Sequence, residues 1–289
     1  MSLHVTCVAT HSDEYFPILL ESCNKHGIDL EVLGFGKKWG GFTMKINLIR
    51  EYLNTLSNDD IVFVIDAFDV IVLQNKETMY KRFKEANKPI IISLDGDSDE
   101  IDFMLTYYRR KIFQDCRSYY LNAGAYCGYV YALKELFSKI CTEYNCSKLE
   151  QDDQVMLSNI CNQYENKDLD LDLDSNIFLT LFRKHTFTND IDFQRDNDGH
   201  IVNKLGIEPC FIHCPGGANL DKVARLYNYN IDSIIKKKPK ENFSAIITRV
   251  PLYYHFFKME LTVCFLLILT SIITIYLKYY VHKYKYTLE

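Results

Sequence analysis

Apolar residues fall into short blocks along the first 230 positions, and stretches of helical spacing alternate with them. Residues 3–9 (LHVTCVA), 30–33 (LEVL), 61–65 (IVFVI) and 89–94 (PIIISL) are short, largely β-branched or leucine-rich runs bounded by polar residues. Such runs predict buried strands. Residues 44–56 carry apolar side chains at Met44, Leu48, Ile49, Tyr52, Leu53 and Leu56, the spacing of one helix face. Further helices are predicted from Ser12, as a cap, to about residue 23, and over 76–87, 134–145 and 151–162. The alternation LDLDLD followed by NIFLTLF, residues 169–182, predicts one strand with a wet face. Residues 189–203 are polar and predict a hairpin or loop, and residues 209–213 (PCFIH) a last strand broken by Pro215, Gly216 and Gly217. Alternating strands and helices predict an α/β domain wound around a central sheet.

Two glycine- or alanine-rich stretches interrupt the pattern. Residues 34–41 (GFGKKWGG) predict a tightly turned loop. Residues 119–133 (YYLNAGAYCGYVYAL) predict a place where another group approaches the backbone closely.

After residue 230 the chain turns polar and basic, with Lys236, Lys237, Lys238 and Lys240. Residues 261–277 (LTVCFLLILTSIITIYL) carry no charge and have tyrosines at both ends. At 1.5 Å per residue this run covers about 25 Å, near the lower limit for crossing a bilayer. The organisation predicted is a domain over 1–230, a linker over 231–258, a transmembrane helix over 259–280 acting as a single-pass C-terminal anchor, and a basic tail over 281–289. The domain would then face the cytosol.

Composition narrows the function. The net charge of −5 on 289 residues argues against a nucleic-acid binder. The ten cysteines include no Cys-x-x-Cys pair, so no disulfide framework is expected and a reducing compartment is the simpler setting. The N-terminus lacks a basic segment followed by a long apolar core, so no secretory signal is read there.

The chemistry centres on DDIVFVIDAFDVIVL, residues 59–73, where a buried strand ends in Asp66 and Asp69. Ligands of α/β sheets bind at the carboxyl ends of strands. Two carboxylates there suit a hard divalent cation, Mg²⁺ or Mn²⁺; capping a turn is the alternative. His213, at a predicted strand end, can complete such a site, and the turn after it can approach a phosphate. Cys210-x-x-His213-Cys214 also admits zinc, although a fourth ligand at the usual spacing is missing. Asp152 and Asp153 open a predicted helix, where they cap it or orient an acceptor hydroxyl. Lys45, behind the glycine-rich loop, can neutralise a diphosphate.

In order, the segments VATHSDEYFPILLESC (8–23), LGFGKKWGG (33–41), FVIDAFDVIV (63–72), LNAGAYCGY (121–129), DDQ (152–154) and FIHCPGG (211–217) resemble the glycosyltransferase domain of the procollagen lysyl hydroxylases and the related collagen-type glycosyltransferases. The resemblance spans about residues 3–230 and implies a GT-A-like Rossmann-type mixed sheet flanked by helices. It implies a UDP-sugar donor and Mn²⁺ (or Mg²⁺) held by Asp66, Asp69 and His213. It assigns Thr10 and Phe68 to the uridine pocket, Lys45 and Gly216 to the donor, and Asp152, Asp153 and Asn122 to the catalytic surroundings of donor sugar and acceptor. The expected reaction moves a hexose, glucose or galactose, to a hydroxyl of a protein or glycan acceptor, with hydroxylysine or glycosylated hydroxylysine of a collagen-like protein as the candidate. A homodimer is compatible with it. The alternative is a non-catalytic, membrane-tethered binding protein of the same fold. The chain differs from the family after residue 94, where Asp95, Gly96 and Asp97 stand in place of a segment with a tryptophan.

Overall fold

The computed structural model describes residues 1–95, 107, 112–144, 146, 152–165, 167–182, 191–215, 220–231, 260 and 262–277. The chain forms two compact units, Met1–Lys237 and Lys238–Glu289.

The first unit is a mixed α/β domain. Its strands are β1 (Leu3–Val8), β2 (Leu30–Leu33), β3 (Ile61–Ile65), β4 (Val70–Val72), β5 (Ile90–Leu94), β6 (Leu121–Tyr129), β7 (Asp170–Leu171), β8 (Phe178–Thr180), β9 (Gln194–Arg195), β10 (Ile201–Val202) and β11 (Phe211–His213). Its helices are α1 (Phe16–Lys25), α2 (Phe42–Leu53), α3 (Lys76–Ala86), α4 (Val130–Tyr144), α5 (Asp153–Cys161) and α6 (Asp221–Leu226). Six strands build the main sheet in the order β2-β1-β3-β6-β5-β7. β1 runs parallel to β2 and β3, whereas β6 is antiparallel to both β3 and β5. A second sheet, β4-β11-β8, joins antiparallel β4–β11 to parallel β11–β8. All five residues of β3 are buried, as a continuous apolar run requires at the middle of a sheet covered on both faces. Val62 and Val64 face a core with α2, α4 and α5, while Ile61, Phe63 and Ile65 face one with α1, α3 and the second sheet.

Two expectations need correction. Residues 169–182 do not form one strand: β7 joins the main sheet and β8 the second. Asp172 breaks the run, because its buried carboxylate accepts the amides of Asn176, Ile177 and Phe178 and so closes a turn. The cysteines do form disulfides, Cys116–Cys161 and Cys141–Cys146. Spacing could not reveal them, since the first spans 45 positions and pairs a bridge residue before β6 with the last residue of α5. In the chain-entropy model a loop of that length is worth about 4 kcal/mol. Cys161→Ser is therefore expected to cost about 2–4 kcal/mol in urea unfolding; a change under about 0.5 kcal/mol would remove any stabilising role for this bond.

The second unit contains the apolar run over 261–277. In the second unit, residues 262–277 are helical and exposed. Among the described residues no helix is long and apolar enough to cross a membrane. Of the expected transmembrane span over 259–280, residues 259, 261 and 278–280 lie outside the described residues.

Smaller differences have local causes. Helix α1 starts at Phe16 without a Ser12 cap. Helix α4 starts at Val130, directly from β6, because the carbonyls of Asp60 and Asn58 receive the amides of Val130 and Tyr131. The polar stretch over 189–203 does hold a short hairpin, β9–β10.

Candidate active site

The chain leaves the main sheet at the end of β3 and enters the second sheet at β4. The loop between them carries Asp66 and Asp69. His213 comes from β11, where it lies opposite Val70 in the antiparallel register, and the Cys214 amide donates to the Asp69 carbonyl at 2.9 Å. Strand pairing therefore places an imidazole from 144 positions further along (213 − 69 = 144) beside the two acids. His213 Nε2 is 3.3 Å from Asp69 Oδ1 and 3.7 Å from Asp66 Oδ2, and one ligand atom from each of the three residues lies within 4.8 Å of the others.

These residues fit a divalent cation. Both ring nitrogens of His213 and Oδ1 of Asp69 are buried without a hydrogen-bond partner; the 3.3 Å approach of Nε2 to Oδ1 is close without the alignment of a bond. Orphaned buried polar atoms cost about 1–3 kcal/mol each. Two carboxylates and a histidine are hard-to-intermediate donors of the kind Mn²⁺ and Mg²⁺ accept. Burial works against the charged imidazole, but Asp69 and then Asp66 outweigh it and raise the His213 pKa above its ordinary value.

Gly124 makes room for this arrangement. Between Ile92 and Ser93 the β5–β6 register jumps from Tyr126 to Asn122, so β6 bulges there. The Gly124 carbonyl receives the Asp66 amide at 2.7 Å. A Cβ on Gly124 would overlap His213 Cε1 and stand 2.6 Å from Asp66 Oδ2. The close approach expected from the small residues of this stretch is thus the approach of the triad.

Behind the triad lies a buried charge cluster. The Lys45 ammonium, carried by α2, donates to Asp66 Oδ1 at 2.7 Å and to Asp153 Oδ2 at 2.8 Å. Burial disfavours its charge, yet Asp153 and Asp66 hold its pKa well above the usual lysine value. Asp66 thus gives one oxygen to Lys45 and turns the other toward His213. The two acids of α5 divide their work. Asp152 is the N-cap, accepting the amides of Gln154 and Val155. Asp153 faces Lys45. Burial raises the pKa of both, with Asp153 adding to the shift of Asp152 and Lys45 opposing that of Asp153.

On the other side of Asp66, Phe68 stacks on His11 with ring centroids 4.8 Å apart and leans on Phe16 at 6.1 Å. Thr10 Oγ1 is 2.9 Å from His11 Nδ1, and the Thr10 carbonyl accepts the Gly36 amide. The first loop, the glycine-rich loop and the Asp-x-x-Asp loop therefore meet. Asn122 is buried and bonded on both sides, to Asp95 and to the Gly124 amide. Gly216 and the residues just before Asp152 lie outside the described residues. The zinc alternative fails on placement: Cys210 is packed in the core beneath the main sheet and Cys214 in a separate core with α6. The sequence reading missed His11 and Gln154 and gave Asp95 no role; an acid directly after a strand was the available signal for Asp95.

The family model described as "PLOD GT domain" matches residues 1–239. That match gives the mixed α/β domain its class, a glycosyltransferase-family domain. The chain belongs to the family of procollagen lysyl hydroxylase glycosyltransferase domains. It is 25% identical over 235 residues to procollagen-lysine,2-oxoglutarate 5-dioxygenase of Drosophila melanogaster, covering 76% of this chain and 31% of that one. It is 25% identical over 217 residues to the multifunctional procollagen lysine hydroxylase and glycosyltransferase of Caenorhabditis elegans, covering 68% of this chain and 28% of that one. The chain thus spans about a third of the length of these relatives. A solved structure of the galactosyltransferase LgtC with donor and acceptor sugar analogues overlays with a TM-score of 0.43 at 14% identity, covering 76% of this chain and 88% of that one.

Proposed function

We propose that the chain is a metal-dependent hexosyltransferase of GT-A type, moving glucose or galactose from a UDP-sugar to a hydroxyl acceptor. The acceptor proposed is hydroxylysine, or glycosylated hydroxylysine, of a collagen-like protein; the printed names of the Drosophila and Caenorhabditis relatives support it. The observation that carries the reading is the Asp66–Asp69–His213 cluster at strand ends, with its buried, unpartnered donor atoms.

Asp66, Asp69 and His213 would hold Mn²⁺ or Mg²⁺, which when bound stabilises the negative charge developing on the leaving diphosphate. Lys45 orients Asp66 through its bond to Oδ1. Thr10, His11 and Phe68 form the wall against which the uridine packs. Asp153, whose pKa is raised by burial, would position or activate the acceptor hydroxyl. The two disulfides favour an oxidising compartment for the first unit, in place of the reducing setting expected from the cysteine spacing.

The test is a UDP-release screen across UDP-glucose, UDP-galactose and UDP-N-acetylglucosamine with Mn²⁺. Release is expected from at least one hexose donor and its loss on chelation. No release from any donor would leave the non-catalytic binding protein as the standing reading.

A further inference from the structure

Asp95 directly follows β5 and is only 4% exposed. The mechanism above gives it no part, yet three elements of the site meet on it. Its amide donates to the Tyr120 carbonyl at 2.8 Å, at the entrance to β6. Its Oδ1 accepts from Asn122 Nδ2 at 3.0 Å, and its Oδ2 receives Gln154 Nε2, from the first turn of α5, at 3.4 Å. Asn122 Oδ1 in turn accepts the Gly124 amide at 2.7 Å, and the Gly124 carbonyl accepts the Asp66 amide at 2.7 Å. A continuous line of hydrogen bonds therefore runs from the residue after Asp153 to the triad.

A carboxylate buried this deeply is costly unless its oxygens are used. Here both are spent on amides from elements that carry the site. Helix α5 is fastened at its far end by Cys161. Its first turn is held by Asp153 on Lys45 and by Gln154 on Asp95. The Lys45 contact fixes one side chain, whereas the Asp95 contact fixes the helix start against β6.

We propose that Asp95 is a positioning residue that locks the N-terminus of α5, and with it Asp153, in register with Asn122 and the Asp66–Asp69–His213 cluster. The kinetic arm of its test rests on the glycosyltransferase reading; the exchange arm does not.

The test compares Asp95→Ala, Gln154→Glu and the pair Asp95→Asn/Gln154→Glu in the full chain. In Asp95→Ala, hydrogen exchange of amides 153–157 is expected to speed up by about fivefold or more, with β3 unchanged. The kcat for UDP release is expected to fall about tenfold or more, with donor KM and Mn²⁺ affinity within about twofold, because a small misplacement at a reacting centre is expensive. Gln154→Glu alone sets carboxylate against carboxylate and should reproduce both effects. The double variant restores an amide–carboxylate contact with the roles exchanged and should recover both. Wild-type exchange over 153–157 in Asp95→Ala, or a double variant no better than Gln154→Glu, overturns the proposal. If Asp95→Ala fails to fold, the comparison of Gln154→Glu with the double variant decides it. If wild type releases no UDP from any donor, the enzyme reading fails while exchange and rescue still judge Asp95.

Discussion

Asp69→Ala is expected to lower Mn²⁺-dependent UDP release by about a thousandfold in kcat/KM, the several kcal/mol of charge stabilisation that a metal supplies. His213→Ala should do the same. Asp69 is the cleaner probe, because Asp66 also holds Lys45 whereas Asp69 faces the imidazole and carries no ion pair with a lysine or arginine among the described residues. Free Mn²⁺, followed by electron paramagnetic resonance in titrations of the two proteins, should show binding lost in the variant. Full Mn²⁺-dependent activity in Asp69→Ala would refute the assignment of the triad.

The largest stability effect should come from Lys45→Met. The lysine side chain is 8% exposed and that of Asp153 13%, so the substitution leaves a buried carboxylate without its cation. Breaking one side of such a pair costs about 3–5 kcal/mol. The sign with pH follows from Asp153. Its folded pKa is already raised by burial, and Lys45 restrains the rise. A carboxyl whose folded pKa lies above its unfolded value favours the fold at low pH, and that contribution is lost as pH rises through the folded pKa. Without Lys45 the folded pKa climbs further. The deficit of Lys45→Met relative to wild type should therefore be greatest near neutral pH and shrink on acidification, as Asp153 takes up a proton in both proteins. Urea unfolding at pH 7 and pH 5 checks it, and a deficit that grows at pH 5 would contradict this account of the cluster.

The legible parts of the chain share one property: their signal is local. The apolar runs of β1, β2, β3 and β5 could be read because an apolar block of strand length has few other uses. Asp66 and Asp69 were legible as a pair because they follow such a block, and the small residues around Gly124 because a backbone stripped of side chains implies a neighbour. What could not be read lies in pairing between distant positions. Nothing in LDLDLD says that Asp172 will turn inward and cap three amides, breaking the run between two sheets. Nothing near Cys116 names Cys161. Lys45, behind the glycine-rich loop, reads as a lysine facing a phosphate, and only tertiary packing encloses its ammonium between Asp66 and Asp153.

The sequence by itself determined the wound α/β class, the strands that carry the acids and, through the order of its motifs, the family. Those are properties of local apolar pattern and residue order, and they survive without coordinates. Tertiary structure alone decided how the acids are used. Antiparallel pairing of β11 with β4 brings His213 to Asp69, a bulge in β6 opens the space they occupy, and a buried lysine divides Asp66 between charge pairing and the triad. It also separated Asp152, a helix cap, from Asp153, a charged partner of Lys45. The reason is that burial and partnership set the cost of a carboxylate, and neither exists until residues far apart in the chain are packed together.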